Sequence, residues 1–389
     1  MTALAGIKVV DLSRVLAGPS CSQTLADLGA EVIKIERPNI GDETRHWAPP
    51  TFADGTSAYF ATVNRNKRSV TLDFTKPQGQ EILKALIKEA DVLVENFKVG
   101  NLAKYGLDYD SLKIINPQLI YASLTGFGQT GSSAHKPGYD YIIQGLSGLM
   151  SITGEPDGAP QKVGVAVVDL FAGMQLTSGI LAALLARQQT GQGQHVDVCL
   201  MDSAIAMLAN VGMNYLATQK PAKRLGNAHP NIVPYQVFTA ADGDFILACG
   251  NNQQFTQICE VMGQTWHQDA RFDTNPNRVM HRDTLVAQMQ EKFIQQPRDS
   301  WLEKFEAVNV PCGPINSVAQ ALQLPQIAER GMKVEFANGV SVLGNPIKLS
   351  ATPVQYQMPP PKLGEHTVAV ISQLKTAAQI AELQQAGVI

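Results

Sequence analysis

Short apolar runs alternate with amphipathic stretches along the first half of this chain. Ile7-Lys8-Val9-Val10-Asp11-Leu12 and Glu31-Val32-Ile33-Lys34-Ile35-Glu36 are rich in β-branched residues and have strand length. Between them Pro19 can sit in the first turn of a helix that runs to about Leu28, with Gly29 as its stop. Strand, helix, strand in that order predicts a parallel pair with a right-handed crossover. The pattern recurs as a helix near 79–89, a strand at Asp91-Val92-Leu93-Val94-Glu95, a helix near 109–115 and a strand at 118–124. A further strand runs through 192–200 after a long helix. The expected fold is α/β, a Rossmann-like parallel sheet flanked by helices.

The second half changes character. Residues 220–234 carry the Pro, Gly and Asn of a linker, and 235–324 read as a smaller unit. That unit opens with a hairpin, Val237-Phe238-Thr239 and Phe245-Ile246-Leu247-Ala248, joined through Asp242-Gly243. Helices follow near 253–262, 282–295 and 299–308; 325–361 is loop and strand, and 367–386 is one terminal helical stretch. The expected organisation is a large α/β domain over 1–200, completed by about 330–389, and a small α+β domain over 226–325. Linkers over 201–225 and 326–350 join them. The most apolar long stretch, 176–186, lies between Gln175 and Arg187, is too short to span a bilayer, and reads as a buried helix.

One polar residue stands out. Asp169 ends the run Val163-Gly164-Val165-Ala166-Val167-Val168, which reads as a buried strand or a strand-like lead into a helix. It opens the helical Leu170-Phe171-Ala172-Gly173-Met174-Gln175. Asp is a favoured N-cap, because its oxygen accepts first-turn N–H groups. Those groups and the helix dipole favour the ionised form. An ionised, oriented carboxylate is also what nucleophilic attack on an acyl group requires. Local sequence leaves both roles open, the cap being the commoner.

Composition narrows the classes. With 389 residues, 44% hydrophobic and 17% charged, the chain is globular and large enough for two domains. A formal net charge of −3 offers no basic field for nucleic acid. The five cysteines are scattered without a C-x-x-C pair, and the seven histidines show no zinc spacing, so no metal is expected. Scattered thiols and an N-terminus without a basic flank or apolar core point to a cytoplasmic protein. The first βα turn, Ser13-Arg14-Val15-Leu16-Ala17-Gly18-Pro19-Ser20, lacks G-x-G-x-x-G, which disfavours an NAD enzyme.

Six segments in order carry a resemblance. They are Val10-Asp11-Leu12-Ser13-Arg14-Val15-Leu16-Ala17-Gly18-Pro19 with 28–36 behind it; Gly41-Asp42-Glu43-Thr44-Arg45; Asn64-Arg65-Asn66-Lys67-Arg68-Ser69-Val70; Asp91-Val92-Leu93-Val94-Glu95-Asn96-Phe97; Leu124-Thr125-Gly126-Phe127-Gly128 with Lys136-Pro137-Gly138-Tyr139-Asp140; and Gly193-Gln194-His195-Val196-Asp197-Val198. Together they resemble the class III CoA-transferase family, the CaiB/BaiF group, over nearly the whole chain.

The resemblance implies an enzyme that moves CoA from an acyl-CoA to a free carboxylic acid, with a CoA thioester as substrate and no permanently bound cofactor. Asp169 falls at the family's nucleophilic carboxylate, which forms a mixed anhydride and then an aspartyl-CoA thioester. Arg14, Val15, Ala17, Arg37, Leu72, Asn96, Phe97, Lys104 and Lys136 match positions that line the CoA site. Lys104 stands where some relatives have Arg, and Arg14 where some have His. Tyr139, Gly250 and Asn251 match substrate-side positions; some relatives have a glycine-rich lid at Gly250-Asn251-Asn252-Gln253, for which a plain helix-capping loop is the alternative. The segment Ala228-His229-Pro230-Asn231-Ile232-Val233-Pro234-Tyr235 is similar to that of relatives acting on dicarboxylates, and the resemblance implies succinyl-CoA as donor. Arg45 is a candidate for the distal carboxylate, a structural ion pair being the alternative.

The resemblance further implies an interlocked homodimer, with the active site between the domains and Asp169 facing the Gly250 loop. An acyl-CoA racemase is the rival on the same fold. It would need a His where this chain has Tyr139, and an unperturbed Tyr, near ~10, is a poor neutral-pH base. A CoA-binding protein without catalysis is the third reading. Neither nucleic acid nor membrane is an expected partner.

Overall fold

The structure is a computed structural model that describes residues 2–389. The chain divides into two compact units. The first comprises 1–148, 163–208 and 325–389. Its frame is a six-stranded sheet of β1 Lys8–Asp11, β2 Glu31–Glu36, β3 Lys67–Thr71, β4 Val92–Glu95, β5 Ile120–Thr125 and β6 His195–Cys199, parallel throughout, in the order β3-β2-β1-β4-β5-β6. The helices are α1 Ala17–Asp27, α2 Ala58–Ala61, α3 Pro77–Lys88, α4 Tyr109–Ile115, α5 Asp140–Leu146, α6 Val167–Thr190 and α7 Leu200–Met207.

Both faces of the sheet are covered. On one, Val10, Leu12, Val70 and Leu93 pack with Ile82, Leu83 and Ile87 of α3, Leu112 of α4 and the C-terminal Ile371 and Ile380. On the other, α1 and α6 lie together against the strands. Every residue of β4 and β5 is buried, which is why those strands read as continuous apolar runs rather than alternating ones.

The second unit comprises 149–162 and 209–324. It holds α8 Ala209–Thr218, an antiparallel sheet of β7 Tyr235–Thr239, β8 Asp244–Ala248 and β9 Cys312–Pro314, and the helices α9 Asn252–Val261, α10 Asn275–Met280, α11 Arg282–Phe293, α12 Arg298–Ala307 and α13 Val318–Leu322. Its core gathers Phe238, Phe245, Phe255, Phe293, Trp301 and Phe305. The chain then returns to the first unit with α14 Pro325–Glu329, the hairpin β10 Lys333–Glu335 and β11 Ser341–Leu343, α15 Thr367–Ile371 and α16 Ala377–Gln385.

Several expectations change. The run 163–168 is not a strand: 163–166 is irregular and α6 begins at Val167, capped by Ala166. Asp169 is therefore the third residue of the helix rather than its cap. The helix reaches 24 residues, so by length and composition it could cross a bilayer, contrary to the reading from 176–186. Val168, Ala172, Leu176 and Ile180 on one face are instead buried in the unit, and one such helix weighs little as evidence of a span. The expected linker over 201–225 is largely helical, as α7 and α8. The stretch 367–386 is two helices, because Thr376 starts a new one with a full capping box to Gln379.

Candidate active site

The strand order reverses direction between β1 and β4, and the crevice outside the carboxyl ends at such a switch point is the usual ligand site of an open parallel sheet. Two adjoining cavities lie there, about 380 and 370 Å³, sharing Arg14, Glu43, Phe97 and Asn101. Arg14, Arg37, Leu72, Phe97 and Lys104 line the first. Arg14, Val15, Ala17, Asn96, Phe97, Lys136, Tyr139 and Asp169 line the second. All nine residues expected around CoA thus border this pair of cavities, with Asp169 and Tyr139 in the second.

The local geometry explains the motifs. Asn96, just past β4, accepts the Arg14 N–H at 3.0 Å and donates to the Arg14 carbonyl at 2.7 Å, tying the loop after β1 to the loop after β4. The Arg14 guanidinium lies 5.1 Å from the Phe97 ring centroid and pairs with Glu43. Gly126 and Gly138 stand back to back: a Cβ on Gly126 would come 2.7 Å from the Gly138 Cα. The absence of a Cβ at both positions permits this close approach beside the Lys136–Tyr139 segment, which lines the cavity.

Asp140 supplies the cap that Asp169 does not. Its buried carboxylate accepts the Val168 N–H at 2.8 Å, the Asp169 N–H at 3.3 Å and the Gln144 amide at 2.6 Å, while Gln144 receives the Val163 N–H at 2.9 Å. These bonds fix the first turn of α6 and with it the backbone of Asp169. Burial, and then the charge of Asp140, push the Asp169 carboxyl up to about 7. The dipole effect expected from sequence, an ionised carboxylate held low, is outweighed by desolvation and a like charge. Tyr59 is raised by burial and then by Asp169, Asp140 and Asp42, so its hydroxyl stays a proton donor; its ring meets Trp47 edge-on at 5.0 Å, and Trp47 lines the second cavity.

Arg45 is not a cavity residue. Its guanidinium donates to both Glu36 oxygens at 2.8 and 2.7 Å and to the Pro361 carbonyl at 3.0 Å, and stacks 3.7 Å from the Phe60 ring centroid. This geometry supports the structural ion pair, the alternative reading of Arg45. Gly250 and Asn251 belong to the second unit, where Asn251 caps α9 through Gln254 N–H at 2.9 Å and the Gly250 N–H donates to Gln254 at 2.7 Å. Sequence reasoning did not single out Asp140, Glu43, Trp47 or Lys98 as site residues. The first two lie in motifs already quoted, where an acidic residue beside a lysine- or arginine-rich site was the available signal.

A Rossmann-like sheet with cationic and apolar residues lining the crevice at its switch point, and a carboxylate among them, suits an enzyme acting on a CoA thioester. The sequence matches the CoA-transferase family III over residues 4–367, and the chain belongs to that family. It is 48% identical over 388 residues to the succinate–glutarate CoA-transferase of Agrobacterium fabrum (strain C58 / ATCC 33970), covering 97% of each chain. The Homo sapiens succinyl-CoA:glutarate CoA-transferase is 41% identical, with 99% of this chain and 90% of that one covered. A crystal structure of a CAIB/BAIF family protein from Brucella suis shares 50% identity with a TM-score of 0.85, covering 96% and 100%. The protein is a class III CoA-transferase that moves CoA between an acyl-CoA and a carboxylate.

Proposed function

We propose that the acceptor is a dicarboxylic acid, that succinyl-CoA is a donor, and that Asp169 is the covalent nucleophile of a homodimeric enzyme. The observation that carries the reading is Asp169 in one cavity with Arg14, Lys98 and Lys136. Three cations exceed what a thioester carbonyl needs and suit phosphates plus a second carboxylate. The names of the relatives, which pair succinate or succinyl-CoA with glutarate, support the same substrate class.

The cycle is the one that the family resemblance implies. An Asp169 oxygen attacks the acyl carbonyl, the C–S bond breaks, and CoA leaves as thiolate with an aspartyl anhydride behind it. The thiolate attacks the aspartyl carbonyl and expels the donor acid, giving aspartyl-CoA. The acceptor carboxylate attacks that thioester, forms a second anhydride and releases the thiolate. The thiolate then attacks the acceptor acyl carbon, and Asp169 departs as carboxylate. Acylation removes a negative charge that burial and Asp140 both disfavour, so each covalent intermediate relieves the strain that raises the carboxyl. Ala17, the first residue of α1, borders this cavity, and the first-turn N–H groups of a helix suit developing oxyanions.

Mixing the protein with succinyl-CoA, trapping with hydroxylamine or borohydride, and locating the adduct by mass spectrometry tests the nucleophile. Modification at Asp169, absent in Asp169→Ala, is expected; an unmodified wild-type chain that still turns over would sink it. Arg14→Met tests the acceptor class. It should raise KM for glutarate by about tenfold or more, the scale of a lost charged hydrogen bond, and leave a monocarboxylate acceptor nearly unchanged. An equal rise for every acceptor would make Arg14 a CoA contact only.

A further inference from the structure

A buried ion pair lies behind the turn that forms the wall of the Asp169 cavity. Lys34 of β2 and Asp42 are closed off from solvent, with Nζ 2.9 Å from Oδ2. The lysine also donates to the Ser13 carbonyl at 2.8 Å. The aspartate accepts the Val15 N–H at 3.2 Å, the Thr44 N–H at 3.0 Å and the Thr44 hydroxyl at 2.8 Å. Its own N–H donates to Glu36 at 3.0 Å, the carboxylate that Arg45 grips. Taking two charges out of water is costly, so such a pair is weak evidence of a purely stabilising role.

What the pair holds is unusual. Val15 has φ of 71°, in the left-handed region that a β-branched side chain avoids. A residue in that conformation persists only where its surroundings over-determine it, and such residues cluster at functional sites. Here the surroundings are Asp42 on the Val15 N–H, Lys34 on the Ser13 carbonyl, and Asn96 on both sides of Arg14. The turn leads straight into α1, and Val15, Leu16 and Ala17 border the cavity that Asp169 enters.

We propose that Lys34 and Asp42 are positioning residues for CoA transfer: the buried pair pins Val15 in its left-handed turn and thereby sets where the α1 N-terminus and Arg14 stand against the thioester. Both act through Val15 and Ser13. They border the first cavity from behind a closed surface, and a direct role in holding CoA is the competing account. The proposal rests on Asp169 as nucleophile.

A double-variant cycle tests it. Wild type, D42N, V15G and D42N/V15G are compared for kcat and KM with succinyl-CoA, for folding by circular dichroism, and for the trapped Asp169 adduct. Asn keeps an acceptor for the Val15 N–H but loses the charge that Lys34 fixes. D42N should lower kcat by about 30-fold, within the range a small misplacement costs, and change KM by less than about threefold. Glycine takes positive φ freely, so in the V15G background the D42N penalty should shrink to about threefold or less. Equal D42N penalties in both backgrounds, or a raised KM with kcat intact, would overturn the proposal. An adduct missing from wild type would instead count against the nucleophile. Should D42N fail to fold, the same cycle built on K34M gives the same contrast.

Discussion

Asp140 adds to burial in raising the Asp169 carboxyl while holding its backbone. The carboxylate accepts three hydrogen bonds, two of them from the first turn of α6, and it is nearly inaccessible at 8% exposure. Attack by the proposed nucleophile needs ionised Asp169, whose carboxyl burial and then the Asp140 charge push up to about 7. Acylation should therefore slow as pH falls through about 7, because protonation removes the nucleophile. Asp140→Asn keeps an acceptor oxygen for the helix and removes the like charge. The acid limb of single-turnover acylation should move to lower pH; a limb that stays in place would leave burial as the sole cause. The same shift makes a stability statement. A carboxyl raised above its ordinary value of 3.8 keeps its proton in the folded chain after the unfolded chain has lost it. Stability is thus lost as pH rises from about 4 towards 7, and Asp140→Asn should flatten that part of the profile in thermal melts.

Beside the site α1 packs against α6, and Gly173 permits the approach. A Cβ on Gly173 would lie 2.2 Å from Ser20 Oγ and 2.6 Å from the Ala17 carbonyl oxygen, a backbone atom that cannot swing aside. Gly173→Ala should cost about 1–3 kcal/mol through forced separation of the helices. Because Ala17 also borders the cavity, kcat should fall with stability; a variant with native melting and native kcat would refute the packing account. Much of this frame was legible. Five of the six parallel strands and the helices α1, α3, α4 and α6 announced themselves, because strands buried on both faces and helices with one apolar stripe have distinct periods; the short α2 and α5 did not. β3 escaped because Lys67-Arg68-Ser69 looks like a polar loop. Lys67 is in fact wholly buried, with its ammonium on Asp11 at 3.1 Å, the Pro19 carbonyl at 2.9 Å and Asn64 at 3.1 Å. The residues that border the two cavities were legible only as an ordered set of motifs. Arg45 was not, since nothing in its own neighbourhood shows that Glu36 lies within reach at the end of β2. Asp140 was hidden for the same reason: its partners are 28 and 29 residues away along the chain.

At the scale of the whole molecule, the first unit presents an apolar surface without a partner in the single chain. Leu170, Met174, Leu181 and Leu185 repeat along the outer face of α6 with exposures of 36–62%, and Tyr141, Ile142 and Leu146 of α5 are 54–60% exposed. Isolated exposed apolar residues are ordinary, but two helices of one unit carrying such rows are the mark of a surface that another protein covers. A second copy of the chain is the occupant we propose, and an obligate interface of that kind would bury well over 2,000 Å². Light scattering coupled to gel filtration should give a mass twice the 42.0 kDa of one chain, unchanged on dilution to micromolar concentration. Leu185→Asp together with Ile142→Asp places two charges on the covered face. This pair should yield monomer or insoluble protein, while either change on a chain that is already monomeric would leave elution and activity alone. A wild-type mass of one chain would remove the dimer and leave the apolar rows to some other partner.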